Sequence, residues 1–187
     1  MIETQRLLLR PFRREDAADV LEYLGAPAVN CFASMKLGSL QEAEAEMEAR
    51  AEDSRYLFAI VLKDTGKVIG EIAAHPESSQ PDKAENFVRD TFSPCWMLNG
   101  AFQGQGYAFE AARAFFDYLF REMGARRIYA YTEDYNLPSQ RLCEKLGMRR
   151  EGFFREFVSF VNDADGNPIY ENTLQWAILK REWLSQA

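Results

Sequence analysis

Two glycines lie one residue apart in the stretch Gln103-Gly104-Gln105-Gly106-Tyr107-Ala108. The apolar run at residues 95–98 predicts a strand before this stretch, and the apolar periodicity of residues 107–122 predicts an amphipathic helix after it. A glycine turn at a helix start directs free backbone N–H groups and the positive end of the helix dipole at an anion. Because glycine has no Cβ, the backbone can also approach a phosphate closely. The stretch therefore predicts a pyrophosphate-binding loop.

This loop differs from two well-known phosphate-binding motifs. A Walker A loop requires Gly-Lys-Ser/Thr, but Gly106 is followed by Tyr107 and Ala108. The dinucleotide-binding fingerprint would place its third small residue at Phe109, whose ring would prevent close packing of helix on strand. Backbone amides must therefore supply most of the anion contacts. On this motif alone, an ordinary helix start that contains two glycines is the alternative.

A second strand–loop–helix unit follows the first. Alternating β-prone residues predict a strand at 128–132. Pro138 suits the first turn of a helix, and Gly147 suits a left-handed helix end. Asn136 comes where the strand ends, and ligands of open sheets bind at such strand ends. Asn136 is therefore a candidate ligand-binding residue.

The two units occur together with matching segments at both ends of the chain. Residues 103–108 fit the pattern Gln/Arg-x-x-Gly-x-Gly/Ala, and Asn136-x-x-Ser139 precedes Glu144-Lys145-Leu146-Gly147-Met148. The chain opens with Thr4-Gln5-Arg6-Leu7-Leu8-Leu9-Arg10-Pro11 and ends with a Glu-Trp pair at 182–183. In this order, over nearly its whole length, the chain resembles the GNAT (GCN5-related N-acetyltransferase) superfamily. Within it, the chain is similar to the RimJ/RimL-like branch of ribosomal-protein N-terminal acetyltransferases.

The resemblance implies an α/β (α+β) fold, the acyl-CoA N-acyltransferase fold of this superfamily. Its mixed central sheet of about seven strands is splayed between the fourth and fifth strands and flanked by about four helices. The residue patterns predict the order β-α-α-β-β-β-α-β-α-β-β in a single domain of residues 1–187. Strands are predicted at 7–11, 58–62, 68–74, 95–98, 128–132, 153–161 and 169–179, and helices at 14–24, 39–51, 107–122 and 136–147. The second helix opens with Ser39-x-x-Glu42, which predicts a capping box. Residues 76–90 predict a long loop.

The resemblance also implies acetyl-CoA as the co-substrate and direct attack by a primary amine, either a protein N-terminus or a small molecule. The backbone of Trp96, Met97 and Leu98 would pair with the pantetheine arm like an added strand. Asn136 and Ser139 would contact the pantetheine or the neighbouring phosphate region. The residues that would bind the pyrophosphate are Gln103, Gly104, Gln105, Gly106, Tyr107 and Ala108.

The acid that protonates the leaving thiolate is open at this point. Many members of the superfamily have a Tyr seven residues after the Asn, and this chain has Cys143 there. A thiol can protonate a thiolate, but a buried Cys is commonly a small packing residue. Ser139 is a second candidate for proton donation or for contact with the oxyanion, and a hydrogen bond at the helix start is its alternative role.

The general base is equally open. Many members carry a Glu on the strand that holds the pantetheine, and Ser93 takes that position here. Glu71 on the neighbouring strand is one candidate, although it can equally point to solvent. The lone His75 has a suitable intrinsic pKa, but a surface histidine without such a role is common. An ordered water relay would need no dedicated residue.

The acceptor pocket of the superfamily is shaped by the first two helices, the loop before the pantetheine strand and the last hairpin. These segments correspond to residues 24–50, 76–92 and 157–170 here. Candidate lining residues are Phe32, Phe92, Phe157 and Tyr170, with core packing as the alternative for each.

Composition and charge limit the classes of partner that the sequence predicts. The formal charge of −7 argues against a nucleic-acid surface and is compatible with a cationic amine substrate, although solubility alone explains such a charge. No apolar run of about 18 residues predicts a membrane span, and no signal-peptide pattern opens the chain. Three widely spaced cysteines indicate reduced thiols of a cytoplasmic protein without a metal site. We expect a monomer or a homodimer.

Two other function classes share these sequence features. A non-catalytic acyl-CoA-binding protein would keep the phosphate loop and lack the chemistry, and the missing Tyr and strand Glu are compatible with it. An interaction protein on the same scaffold would use the 76–90 segment.

Overall fold

The computed structural model describes residues 1–78 and 88–186, and these form two five-stranded sheets and five α-helices. The first sheet is antiparallel and contains, in spatial order, β1 (Ile2–Glu3), β2 (Leu7–Arg10), β3 (Leu57–Leu62), β4 (Val68–Ala73) and β7 (Cys95–Leu98). The second is mixed and contains β5 (Pro76–Glu77), β6 (Thr91–Phe92), β8 (Arg127–Glu133), β10 (Pro168–Leu179) and β9 (Arg149–Asn162). The helices are α1 (Ala17–Leu24), α2 (Leu40–Glu52), α3 (Tyr107–Arg121), α4 (Leu137–Lys145) and α5 (Lys180–Leu184).

The first sheet is covered on both faces, which explains its nearly continuous apolar strands. In β3, Phe58 and Ile60 pack into a core cluster that includes the apolar stripe of α3. The alternate residues Ala59 and Val61 pack into a second cluster with residues of α1 and α2. Alternate side chains of β3 therefore pack against different helices, α3 on one face of the sheet and α1 with α2 on the other.

The segment from β6 to β7 passes from the second sheet to the first, and a cleft opens between the two sheets at this crossing. Strand β6 pairs in parallel with the start of β8, with Thr91 opposite Arg127 and Phe92 opposite Ile128. After Ser93 and Pro94 the chain continues as β7, which instead pairs with β4 of the first sheet. The segment from β6 to β7 therefore starts beside β8 and then diverges from it. The splay predicted between the fourth and fifth strands is confirmed at this place.

All seven predicted strands and four predicted helices are present, most with ends shifted by a few residues. The short strands β1, β5 and β6 and the helix α5 were not predicted, because two-residue strands carry no periodicity. Their pairing is set by distant partners. Part of the predicted 76–90 loop is strand β5, and residues 79–87 lie outside the described residues.

Two predicted helix ends are confirmed. Ser39 Oγ accepts a hydrogen bond from the Glu42 amide at 3.2 Å and caps the N-terminus of α2, while the Glu42 carboxylate accepts from the Gly38 amide at 2.7 Å. Gly147 follows α4 with a φ of +75°, the left-handed conformation that favours glycine. No helix within the described ranges is long and apolar enough to cross a bilayer.

Candidate active site

The predicted pyrophosphate loop joins β7 to α3. A short 3-10 turn at Gly100–Phe102 follows β7, and Gly104 and Gly106 then adopt φ values of +75° and +84°. These left-handed conformations turn the chain so that α3 begins at Tyr107 directly after Gly106. The loop is exposed from residue 103 to residue 106. The two glycines therefore produce a sharp, accessible turn at a helix N-terminus, as the sequence predicted.

The backbone amides of this turn are free. The Gln103 amide bonds to Gly100 O at 3.3 Å, and the Glu110 amide bonds to Gly106 O at 3.0 Å. Between them, the amides of residues 104–109 have no hydrogen-bond acceptor within the described part of the chain. Such a row of N–H groups at the positive end of a 15-residue helix suits an anion.

Arg6 and Thr4 hold this turn from the N-terminal segment, a contact that sequence reasoning missed. Arg6 Nε lies 2.6 Å from Glu110 Oε2, and its Nη1 donates to Gln105 O at 3.0 Å. Thr4 Oγ1 donates to Glu110 Oε1 at 2.7 Å. The Arg6 guanidinium also lies 4.3 Å from the Tyr107 ring centroid. Burial opposes ionisation of Glu110, but the hydrogen bonds from Thr4 and Arg6 lower the pKa of its carboxyl overall. Arg6 therefore fixes the loop and adds positive charge beside it.

Replacing Arg6 with alanine should weaken acetyl-CoA binding about three- to tenfold. The ion pair is partly exposed, and exposed pairs contribute roughly 0.2–1 kcal/mol, to which the hydrogen bond to Gln105 O adds. Isothermal titration calorimetry with acetyl-CoA measures the change. Arg121→Ala at the other end of α3 is the control, since Arg121 forms a more exposed ion pair with Asp117 on the same helix. Equal affinities of the two variants would show that Arg6 is irrelevant to the loop.

The cleft beyond the loop brings three predicted binding residues together. Trp96 Nε1 donates to Ser139 Oγ at 3.2 Å, which connects β7 to α4. Asn136 caps α4, because its Oδ1 accepts from the Ser139 amide at 3.3 Å. Trp96 and Leu98 pack against the α3 core cluster, whereas Met97 between them packs against the other cluster. Strand β7 is also the last strand of its sheet, so its edge toward β8 has no neighbouring strand there.

A pocket of about 390 Å³ opens in the same cleft. Its walls come from the start of β7, the end of β8, the 3-10 segment Asn30–Met35 and strand β9. Of the four aromatic residues proposed from the sequence, Phe32 and Phe157 line the pocket. Phe92 instead lies in the core and Tyr170 is 58% exposed. Ser93, Trp96, Asn136 and Ser139 also line this pocket.

Glu71 is buried on the opposite face of the first sheet. Its Oε2 lies 2.5 Å from Arg50 Nη1 and accepts from Tyr23 Oη at 3.0 Å. Burial and the nearby carboxylate of Glu71 raise the pKa of Tyr23 well above its ordinary value. Glu71 does not line the pocket, and its charge is balanced by an arginine. The contacts indicate a structural ion pair between β4 and α2.

His75 is an exposed residue away from the pocket. Its Nε2 lies 2.5 Å from Asp53 Oδ2, and its ring contacts Tyr56 with centroids 5.4 Å apart. These contacts join the end of β4 to the end of α2. They give the only histidine of the chain a surface position.

Cys143 lies in the main core cluster with no exposed surface. Burial raises the pKa of its thiol to about 12, and the residue does not line the pocket. These observations support the packing role. The described residues contain no group of three or more His, Cys, Asp or Glu side chains that could hold a metal ion.

Cys143→Ala should leave kcat unchanged and lower the free energy of unfolding by about 1 kcal/mol, the order of one buried methylene group. Steady-state kinetics and urea unfolding measure the two quantities. A fall in kcat of more than about tenfold at unchanged stability would instead show that the thiol takes part in proton transfer.

Glu133, the last residue of β8, is a pocket residue that sequence reasoning missed. It is 6% exposed, and its carboxylate accepts from Asn136 Nδ2 at 3.0 Å. Burial and the Glu133 carboxylate raise the pKa of the Cys31 thiol far above its ordinary value. The available signal was its position three residues before Asn136, at the end of a predicted strand.

Comparisons with known proteins agree with this geometry. Residues 6–149 match the family model of the acetyltransferase (GNAT) domain. A Bacillus subtilis (strain 168) protein described as the uncharacterized N-acetyltransferase YnaD is 33% identical over 182 residues, covering 97% of this chain and 98% of that protein. The crystal structure of a GNAT-family acetyltransferase from Bacillus anthracis superposes with a TM-score of 0.79 at 29% identity, covering 97% of this chain and 99% of that one.

A more distant relative is similar to the RimJ/RimL-like branch that the sequence predicted. The ribosomal protein uS5-alanine N-acetyltransferase of Escherichia coli (strain K12) is 26% identical over 114 residues, which cover 59% of this chain and 54% of that protein. The family match spans well over half of the sequence and includes the glycine turn, strands β7 and β8, and α4. The chain therefore belongs to the GNAT acetyltransferase family and is an N-acetyltransferase that transfers an acetyl group to an amine.

Proposed function

We propose that this N-acetyltransferase binds acetyl-CoA in the cleft between β7 and β8 and acetylates a primary amine held in the adjoining pocket. Acetyltransferases of the family use acetyl-CoA. The observation that carries the proposal for this chain is the row of free amides at residues 104–109, which follows the sheet-edge strand β7 directly in the chain. All of these parts belong to one domain of residues 1–187.

The coenzyme is held mainly by backbone groups. The turn and the helix start bind the pyrophosphate, through residues Gln103, Gly104, Gln105, Gly106, Tyr107 and Ala108. The edge of β7 at Trp96, Met97 and Leu98 offers N–H and C=O groups to the amides of the pantetheine arm. The arm then ends beside Asn136 and Ser139, which lie at the widening end of the cleft.

Ser139 is placed to stabilise the leaving group. Its oxygen accepts the hydrogen bond from Trp96 Nε1, so its own O–H is left to donate. Attack by the amine on the thioester carbon forms a C–N bond and develops negative charge on the carbonyl oxygen and then on sulfur. A hydroxyl oriented by an indole at this point can donate to either atom. Cys143 does not reach the pocket, so Ser139 is the better supported of the two predicted donors.

The acceptor is a primary amine on a small molecule or at a protein N-terminus. The pocket of about 390 Å³ is large enough for a few residues of an extended peptide end or for a small amine. A protein N-terminus is supported by the relative named as a uS5-alanine N-acetyltransferase. The three free cysteines of the chain support a reducing, cytoplasmic setting. The protein acts there as a monomer or a homodimer.

The test is acetyl-CoA turnover with a panel of acceptors. The panel contains small primary amines, polyamines and peptides with free N-terminal residues, and chromatography follows CoA release. Mass spectrometry of the product locates the acetyl group. Calorimetry on the same preparation measures acetyl-CoA binding. Binding without turnover across the whole panel would favour the non-catalytic alternative, and absence of binding would contradict the proposed cleft.

A further inference from the structure

Glu133 and Glu171 are the two buried carboxylates of the described residues without a cationic partner, and of the two only Glu133 lines the pocket. Asp16 pairs with Arg10 at 2.7 Å, and Glu71 pairs with Arg50 at 2.5 Å. Within the described residues, the donor to the Glu133 carboxylate is the neutral side-chain amide of Asn136. A buried carboxylate without a counter-charge is costly, and such costs are retained mainly at sites that bind or react.

The surroundings of Glu133 are acidic. Glu171 is 8% exposed and accepts from Asn30 Nδ2 at 2.5 Å and from Tyr135 Oη at 3.0 Å. Burial and the carboxylates of Glu171 and Glu133 raise the pKa of Tyr135 far above its ordinary value. Tyr135 is therefore influenced by both carboxylates, and no Lys, Arg or His of the described residues forms an ion pair with either of them. This part of the cleft favours a positively charged ligand.

Glu133 also lies at the place where the acceptor must meet the thioester. It lines the same pocket as Trp96 and Ser139, the two residues beside the end of the pantetheine path. Aromatic rings of Tyr131 and Phe157, with centroids 5.7 Å apart, form another wall of this pocket. An ammonium group between a carboxylate and aromatic faces is bound by charge and by cation–π attraction.

We propose that Glu133 binds the ammonium group of the acceptor and is the general base of the transfer, an inference that rests on the proposed function. The carboxylate takes one proton from the ammonium group and leaves a neutral amine. The nitrogen lone pair then forms the C–N bond with the thioester carbon, and the C–S bond breaks to release the thiolate. The second proton leaves the nitrogen and passes to the thiolate, giving CoA thiol. Glu133 returns its proton to solvent.

The test is Glu133→Gln, which keeps the size and the hydrogen-bonding capacity of the side chain. We expect kcat/KM for the amine to fall by about 10²–10⁴-fold near neutral pH, with acetyl-CoA affinity within about twofold of the wild type. Near neutral pH the wild-type kcat/KM should be flat up to the ionisation of the amine, because the enzyme itself takes the proton from the ammonium form. In the variant it should rise about tenfold per pH unit, because only the neutral amine from solvent reacts.

Two further variants separate chemistry from structure. Glu171→Gln alters a buried carboxylate of the same network that does not line the pocket, and it should keep the flat profile. Glu133→Asp keeps the charge and should give an intermediate rate with a flat profile. If Glu133→Gln does not fold, a wild-type rate for Glu133→Asp overturns the proposal and a reduced rate at unchanged acetyl-CoA affinity supports it.

The outcomes distinguish this inference from the proposed function. Wild-type protein that neither binds acetyl-CoA nor releases CoA with any amine contradicts the proposed function itself. Wild-type turnover that Glu133→Gln matches in rate and in pH profile overturns only the role of Glu133.

Discussion

Replacing Gly106 with glutamate is expected to reduce acetyl-CoA affinity by about a hundredfold or more while the fold survives. Gly106 has a φ of +84° and immediately precedes α3. A glutamate side chain there would place a carboxylate among the free amides and beside the Arg6 guanidinium, which lies 3.4 Å from the position of a Cβ. It would exclude the pyrophosphate sterically and by charge. Two lost hydrogen bonds to a charged ligand account for roughly 1.5–3 kcal/mol each.

The control is Gly66→Glu in the turn between β3 and β4. Gly66 has a φ of +73° and no atom within 4 Å of the position of a Cβ. The Gly66→Glu variant therefore has the same kind of backbone strain, about 1–3 kcal/mol, and the same added charge, but it leaves the loop at residues 103–108 unchanged. Calorimetry should give wild-type acetyl-CoA affinity for Gly66→Glu. Tight binding by Gly106→Glu would refute the assignment of the loop to pyrophosphate.

Replacing Arg50 with methionine is expected to lower the free energy of unfolding by about 3–5 kcal/mol, because the carboxylate of Glu71 is left buried without its cation. The Arg50 side chain is 6% exposed and also bonds to Glu46 at 2.7 Å. Methionine preserves most of the apolar contact of the arginine stem. Urea unfolding followed by circular dichroism measures the loss.

The double variant Arg50→Met/Glu71→Gln should recover a large part of this loss, since the unpaired charge is then gone. Glu71→Gln alone should keep the flat pH profile of kcat/KM, in contrast to Glu133→Gln. A loss below about 1 kcal/mol for Arg50→Met would show that Glu71 is solvated, contrary to its 5% exposure. A sloping profile for Glu71→Gln would restore this residue as a candidate base.

Features set by neighbouring residues could be predicted from the sequence. The helix cap at Ser39, the left-handed Gly147 and the loop around Gly106 each depend on a few adjacent positions, and the structure has all three. The splay between the fourth and fifth strands followed from the resemblance to a family. Its cause, the passage of one run of chain between two sheets at Pro94, was not accessible from local pattern.

Features set by distant contacts could not be predicted. The bond between the Arg6 amide and Glu110 joins residues 104 positions apart, and no periodicity marks it. The Gly-Glu-Ile pattern around Glu71 does not tell which face of the sheet the carboxylate takes, whereas the position of Arg50 on α2 decides it. The same limit applies to Glu133, which shares its pocket with Cys31 and Phe32 from the segment after α1.

The passage of chain at Ser93 and Pro94 has a thermodynamic consequence. Beyond this crossing, β7 and β8 exchange no backbone hydrogen bonds, since they belong to different sheets. In the proposed binding mode the coenzyme contacts both sheets, so that neither sheet can unfold without releasing it. Ligand occupancy and cooperative melting are therefore linked, with a gain of about 2.7 kcal/mol at a ligand concentration one hundred times Kd.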